Sequence, residues 1–536
     1  VYQNTTALIG EYDYTRWVCV VVAPDLYIFS FFLSYLLNII LVMTKRITVA
    51  YGDGIGPEIM ESAMLILQKA NADLSFNFIE VGKKVYEQGY NSGLTNDAWQ
   101  KINETGIIFK APITTPQGGG YKSLNVTLRK KLGLYANVRP VSSFFPFVAT
   151  KFPKLDVIII RENEEDLYAG IEHRHTLDSY QCLKLITKQG CQKIIRYAFE
   201  YAVINGRKKV SCFSKDNIMK LSDGLFHNTF KEIAKQYPQI QTDHHIIDIA
   251  CAKLATHPEN FDVIVTLNLY GDIISDIVAE ISGSVGLAGS ANIGKDFAMF
   301  EAIHGSAPDI AGQNIANPTG LIQASVMMLN HLGQSQIASK IQNALYKTIE
   351  DGFHTADIYN FNTSKQKLST IEFAKAVITN LGNLPQQLSV ANFQSAAHQN
   401  IEKNQNENQS CEKRMLIGCD VFINWSAENL TSLHKKLSNL SSKVFILKTI
   451  SAKGLVLWPN ESVPNSISSD FLMLRFMGQG ITGDSSTKII NPNLSVINVD
   501  ILQLLHCLTE NDIDFVKIEN LYSFDNIASF SSGQGE

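Results

Sequence analysis

Short apolar runs alternate with stretches of helical spacing through most of the first 385 residues. Ile47–Tyr51, Ile107–Phe109, Val157–Ile160, Lys209–Ser214 and Val263–Thr266 read as strands. Between them, the stretch following Gly52-Asp-Gly-Ile-Gly-Pro-Glu58 to about Ala70, and residues 190–204, space their apolar positions as amphipathic helices, with Pro57 suited to a first helical turn. Strands alternating with helices imply an α/β architecture with function at the strand ends.

The pattern changes twice. Asn, Gln and Glu dominate Gln399–Gln409, so residues 386–413 read as a polar linker. Beyond it, Met415–Phe422, Lys443–Ile450, Gly454–Trp458 and Asp514–Ile518 read as strands, and Ala427–Leu440 and Val499–Leu508 as helices. This is a small C-terminal α+β domain with no catalytic constellation, suited to interaction or oligomerisation. At the other end, Leu26–Val42 is almost wholly apolar and long enough for a membrane span or a signal core. Asp13 and Asp25 stand where a signal would be basic, no small-residue cleavage motif follows, and the chain begins with Val. The expectation is therefore that Met43 is the start and that 1–42 is a non-native upstream extension. The alternative is an anchor with Lys45 and Arg46 on the cytoplasmic side.

Composition removes some classes. A net charge of −5 with acids and bases nearly balanced gives no footprint for nucleic acid. Eight scattered cysteines without a Cys-x-x-Cys argue against a disulfide framework or zinc site and fit a reducing compartment.

Candidate chemistry gathers where the strands end. In the run 110–139, Thr114, Thr115 and Gly118–Gly120 form a loop with backbone N–H groups to offer, Ser123 and Asn125 are small hydrogen-bonding residues, and Arg129 and Arg139 are planar forks suited to carboxylates. With Arg161 they suit a small polyanion; a solvated loop and charged helix face is the alternative. Asp272 and Asp276 lie four apart, on one face if helical, a like-charge spacing that a hard cation such as Mg²⁺ or Mn²⁺ would relieve. Asp248 could add a third oxygen, and Ile273, Ile274 and Ile277 suggest a partly buried helix rather than a solvated acidic face. Lys215 could be a general base and Tyr168 a proton donor. In Glu301–Gly312 and Asn317-Pro, small residues admit a flat or phosphorylated ligand; His304 could meet adenine or ribose, and Asp309 could accept from both ribose hydroxyls. The glycines at 52, 54 and 56 are spaced G-x-G-x-G, a weak basis for a Rossmann site.

Taken in order, the turn at 52–58, the run 110–139, Arg161–Gly170, Lys215–Lys220, Asn268–Asp276 and Glu301–Pro318 resemble the isocitrate dehydrogenases of the β-decarboxylating dehydrogenase family over about 45–385. The linker, the C-terminal domain and the Gly533-Gln-Gly-Glu536 ending are similar to the longer bacterial form. The resemblance implies a two-domain α/β fold that is not Rossmann. Residues 43–140 and 287–385 would form the large domain, 141–286 a small domain with a dimer clasp, 386–413 the linker and 414–536 the C-terminal domain. It also implies oxidative decarboxylation of isocitrate to 2-oxoglutarate. Ser123, Asn125, Arg129, Arg139 and Arg161 would hold the substrate carboxylates, with Thr114 touching substrate and nicotinamide. Tyr168 and Lys215 would be the acid–base pair, and Asp248, Asp272 and Asp276 the Mg²⁺ or Mn²⁺ ligands. Lys215 and Asp248 would reach in from the other subunit of a homodimer. Asn217, Glu301, His304, Gly305, Ala307, Asp309, Ile310 and Asn317 would line the cofactor site. NADP users of the family commonly carry Lys-Tyr where this chain has Asp309-Ile310, so the expectation is a preference for NAD over NADP. A cytoplasmic enzyme with no membrane or nucleic-acid partner is implied. The alternatives are a related decarboxylating dehydrogenase (isopropylmalate, homoisocitrate or tartrate) and a non-catalytic regulatory subunit.

Overall fold

The computed structural model describes residues 44–114, 123–393, 412–426, 430–438, 444–459, 469–481 and 496–533. Residues 1–42, Thr115, the Gly118–Gly120 loop, the tract Gln399–Gln409 and the last three residues lie outside them. Among the described residues no helix is long and apolar enough to cross a membrane.

The chain forms two compact units, one from residues up to 118 with Ala298–Ala397, the other from Gly119–Phe297 with the residues from 398 on. In the first, four strands pair in parallel in the order Leu74–Ile79, Lys45–Ala50, Ile107–Lys110, Ala298–Ala302. The helix Gly56–Lys69 opens on Pro57, has Glu58 in its first turn and Lys69 in its last, and buries Ile59, Met60, Ala63, Ile66 and Leu67. The turn at 51–54, the segment Ala111–Thr114 and the loop after Ala302 all follow the carboxyl ends of these strands.

The second unit orders its strands Gly289–Ile293, Ala136–Ser142, Asp156–Glu162, Val263–Thr266, Lys209–Ser214, Gln241–Ile246. The first three neighbours pair antiparallel and the rest parallel. The Val263–Thr266 and Lys209–Ser214 strands fall where the apolar runs put them. The run at 157–160 extends to Glu162, so Arg161 sits on a strand rather than after it. At the carboxyl ends of the four parallel strands stand Arg161 with the 167–169 turn, the helix Asn268–Ile281, Lys215, and the helix Ile247–Thr256. That helix Asn268–Ile281 buries Ile274, Ser275 and Val278, whereas Ile273 is half exposed.

The C-terminal residues of this unit build a six-stranded antiparallel sheet with its own apolar core, including Val421, Ile423, Leu472, Leu474 and Leu504. Its central strand, Phe471–Gly478, is absent from the sequence reading; it pairs with both Arg414–Asn424 and Phe445–Ala452. Arg475 breaks the apolar run, but it stands opposite Asp420 in the ladder and forms two 2.8 Å bonds to that carboxylate. Such a bidentate pair satisfies two buried charges at once, and removing either partner alone typically costs about 3–5 kcal/mol. Within this unit the sheet also contacts the ribbon Glu172–Arg174/Tyr180–Cys182. Ser179 donates to Asp470 at 2.8 Å, Lys517 donates to Gln181 at 2.8 Å, and the His175 ring stacks on Phe471.

Candidate active site

In the second unit, Arg139, Arg161, Tyr168, Asp272 and Asp276 converge. The helix Asn268–Ile281 begins just beyond the Val263–Thr266 strand, whose neighbour carries Arg161. Asp272 accepts from Arg161 Nη1 and, through its other oxygen, from the Tyr168 hydroxyl. Arg139 Nη1 lies 3.5 Å from Asp272 and 3.7 Å from Asp276, and donates to Ser275 Oγ at 2.5 Å. Asn268 Oδ1 accepts from Arg161 Nε at 2.9 Å and Nη2 at 2.7 Å, and the guanidinium lies over the Tyr168 ring at 4.8 Å.

The electrostatics follow from burial. Burial and the neighbouring Arg161 lower the Arg139 guanidinium to about 10, leaving it a cation at neutral pH. Burial also lowers Arg161, against the pull of Asp272. Burial by itself would raise the Asp272 carboxyl, but Arg161 and Arg139 outweigh it and hold the group ionised. Asp276 goes the other way: burial, with the Asp272 charge beside it, pushes its carboxyl up despite Arg139. Burial raises the Tyr168 phenol, which therefore keeps its proton at neutral pH.

These observations bear on a cation. Asp272 and Asp276 supply only oxygen donors, the donor type that suits Mg²⁺ or Mn²⁺, and burial has raised the Asp276 carboxyl, a cost that a bound cation would offset. Asp248 sits elsewhere, on the first turn of Ile247–Thr256, where it accepts from Lys215 Nζ at 2.8 Å. No direct hydrogen bond or ion pair among the described residues joins Lys215 and Asp248 to Asp272 and Asp276.

Of the other substrate candidates, Ser123 caps Leu124–Lys131 by accepting from the Val126 N–H. Asn125 Oδ1 is buried without a hydrogen-bond partner among the described residues, as a ligand-facing amide would be. Arg129, on the same helix, is buried, and its charge acts on Arg139, Arg161 and Asp272.

The cofactor candidates of the first unit form a second group. Thr114 donates its N–H to Asp53 at 2.8 Å and shares a 2.7 Å hydroxyl bond with Ser306. Gly54, with φ +59°, lets the turn approach the Ser306 carbonyl, where a Cβ would stand 2.0 Å from the oxygen. The glycines thus close a tight turn rather than a Rossmann loop. His304 Nε2 is buried without a partner among the described residues, and burial lowers its imidazole so that the ring is neutral. Gly305 and Asp309 are exposed, Ala307 takes a left-handed φ of 38°, and Ile310 ends the short turn Pro308–Ile310. Glu301 is buried against Lys110 at 2.6 Å, and Asn317 bridges Asp357 and the Thr319 N–H, so both are already engaged within the fold. Asn217 is exposed on the turn after Lys215, in the second unit.

Sequence reasoning missed the groups that hold these residues. The buried Asp223 accepts from the Lys215 N–H at 2.7 Å and from Lys184 Nζ at 2.5 Å. The buried Asp166 accepts from the Leu269 N–H at 2.8 Å. Asp223, in the first turn of Ser222–Ala234, offered a signal as an acid among apolar neighbours. Gly271 was missed too: a Cβ there would lie 2.5 Å from Arg161 Cγ.

Residues 46–377 match the isocitrate/isopropylmalate dehydrogenase family model, and 414–536 match the model of the bacterial isocitrate dehydrogenase C-terminal domain. A Rickettsia felis protein named isocitrate dehydrogenase [NADP] is 56% identical over 91% of this chain and 99% of its own length. A Thermus thermophilus protein of the same name is 39% identical over 92% of this chain and 96% of its own. A crystal structure of a protein from Thermus thermophilus superposes with a TM-score of 0.84 at 37% identity, covering 92% of this chain and 96% of that one. The chain belongs to the isocitrate/isopropylmalate dehydrogenase family and carries the C-terminal domain of its bacterial isocitrate enzymes.

One expectation is corrected. The NAD preference read from Asp309-Ile310 is overturned by these relatives, which are named for NADP. Asp309 is exposed, so its carboxylate can turn into solvent, where its charge is screened, and the residue type alone did not fix what faces a 2′-phosphate.

Gly271→Ala tests the packing of the site. Helix propensity alone favours alanine by about 1 kcal/mol. The clash with Arg161 should nevertheless lower kcat/KM for isocitrate at least tenfold, about 1.4 kcal/mol. Steady-state kinetics check it, and an unchanged kcat/KM would mean that Arg161 is not held by this approach.

Proposed function

We propose that this chain catalyses the oxidative decarboxylation of isocitrate to 2-oxoglutarate and CO₂, with NADP as hydride acceptor. The observation that carries the reading is the meeting of two buried guanidinium groups, a protonated tyrosine and a carboxylate pair on one helix face. Arg139 and Arg161, with Arg129, Ser123 and Asn125, hold the three substrate carboxylates in one orientation. Asp272 and Asp276 hold Mg²⁺ or Mn²⁺. When bound, that cation supplies Lewis-acid polarisation of the substrate hydroxyl and its adjacent carboxylate. Lys215 takes the hydroxyl proton, and Tyr168 delivers a proton to carbon after CO₂ has left. Thr114 and His304 hold the dinucleotide, His304 through an Nε2 that has no partner among the described residues. Free thiols at Cys182, Cys191, Cys212, Cys251, Cys419 and Cys507 fit a cytoplasmic location.

The purified chain is assayed with isocitrate and NADP, with Mg²⁺ or with chelator. Metal-dependent NADPH production is expected, and turnover of isopropylmalate in preference to isocitrate would overturn the reading. Tyr168→Phe should slow overall turnover by roughly 10²- to 10⁴-fold, the usual scale of a lost general acid. Reduction of oxalosuccinate should survive in part; if both fall equally, the role is wrong.

Lys215 and Asp248 serve the acid site of a second copy, which explains their separation from Asp272 in one chain. Mixing Lys215→Met with Asp272→Asn chains, each inactive alone, should then restore activity. Persistent inactivity after subunit exchange would place each complete site within one chain.

A further inference from the structure

Beside Lys215 lies a cluster that the proposed reaction does not use. Asp216 follows it at the end of the strand Lys209–Ser214, His244 is on the adjacent strand Gln241–Ile246, and His227 is on the helix Ser222–Ala234. His227 Nδ1 is 2.6 Å from Asp216 Oδ2, and His244 Nε2 is 3.6 Å from Asp216 Oδ1. One donor atom from each residue lies within 4.8 Å of the others. The imidazoles stack with centroids 3.6 Å apart and 16° between planes, so both rings present nitrogens to one carboxylate. Ser214 Oγ is 2.8 Å from His244 Nε2. The side chains of Asp216, His227 and His244 keep 21%, 12% and 20% of their exposure, which leaves room for a cation to enter.

We propose that Asp216, His227 and His244 form a binding site for a borderline first-row cation of the Zn²⁺ class, distinct from the hard-cation pair Asp272 and Asp276. The donor set is the basis. Two imidazoles and one carboxylate are the three-ligand set that Zn²⁺ takes with a fourth place for water, whereas Mg²⁺ prefers oxygen throughout. Bond lengths near 2.0–2.2 Å put the ligand atoms of a tetrahedral centre roughly 3.3 Å apart. The donor atoms all lie within 4.8 Å of one another, and closing on a cation means turning the stacked imidazoles apart until each lone pair faces the ion. Cysteine spacing argued against a zinc site, but this set uses no thiolate and its members are far apart in sequence. An occupied site would tie together two strands and a helix next to Lys215, whose Nζ is on Asp248 and whose N–H is on Asp223.

The test uses the full chain, freed of metal by chelator and then kept in saturating Mg²⁺. Zn²⁺ is titrated by calorimetry, and Co²⁺ by visible absorption. One Zn²⁺ per chain is expected, with affinity at least tenfold weaker in His227→Gln and in His244→Gln and unchanged in Asp276→Asn. Co²⁺ should give the intense bands of a four-coordinate centre. Circular dichroism and thermal midpoints in chelator establish that the variants are folded; should one be unfolded, the Co²⁺ spectrum of the unaltered chain decides. No Zn²⁺ uptake, undiminished affinity in both histidine variants, a loss in Asp276→Asn instead, or the weak bands of six-coordinate Co²⁺ would each overturn the proposal.

Discussion

Two guanidinium groups buried side by side need an anion, and Asp272 supplies it. Arg139 and Arg161 are almost wholly removed from water, where like charges repel strongly and each loses hydration. Asp272 engages Arg161 directly, stands 3.5 Å from Arg139 and also accepts the Tyr168 hydroxyl. One carboxylate therefore engages both guanidinium forks and the Tyr168 hydroxyl. Asp276, one turn on, gets less of that compensation and its carboxyl rises.

The backbone that delivers these groups is a run of parallel strands whose carboxyl ends face the chemistry. Arg161, Lys215, Asp248 and Asp272 come from four successive strand ends or from the helices that follow. Behind them, Asp223 and Asp166 accept backbone N–H groups and bind Lys184, so that the turns carrying Lys215 and the start of the Asn268 helix cannot drift. A helical glycine at 271 is locally unfavourable, and its place under Arg161 accounts for it. In the first unit the same logic appears: the turn at 52–55 holds the 111–114 segment and the 306 loop through the backbone N–H groups of Asp53 and Ile55, and the Asp53 carboxylate accepts the Thr114 N–H.

Much of this was legible in the residues. Apolar runs gave the parallel strands Lys45–Ala50, Ile107–Lys110, Asp156–Glu162, Lys209–Ser214 and Val263–Thr266 but not Leu74–Ile79, Gln241–Ile246 or Ala298–Ala302, and the i, i+4 aspartates, the arginines and Tyr168 were named from residue type and spacing. What escaped is long-range pairing. Lys184 and Asp223, 39 residues apart, look like surface charges until the fold joins them. The strand Phe471–Gly478 was hidden by Arg475, because the partner that makes an arginine tolerable inside a sheet lies 55 residues away. Glu301, read as a ligand contact, is also paired with Lys110, again a partner distant in sequence. The NAD preference failed for a related reason: the sign of Asp309 is readable, but the direction in which an exposed carboxylate points is not.

The central claim rests on the proposed function and is that Asp272 is shared: paired with Arg161 and hydrogen-bonded by Tyr168 here, and released to a cation when a tricarboxylate takes the guanidinium groups. Binding of Mg²⁺ and isocitrate must then be linked, each raising the other's affinity by the same factor. Calorimetric titration of Mg²⁺ into the purified chain, with and without saturating isocitrate, measures that factor directly. A gain of tenfold or more with isocitrate is predicted. Equal Mg²⁺ affinity in the two titrations, after correction for binding to free isocitrate, would contradict the account.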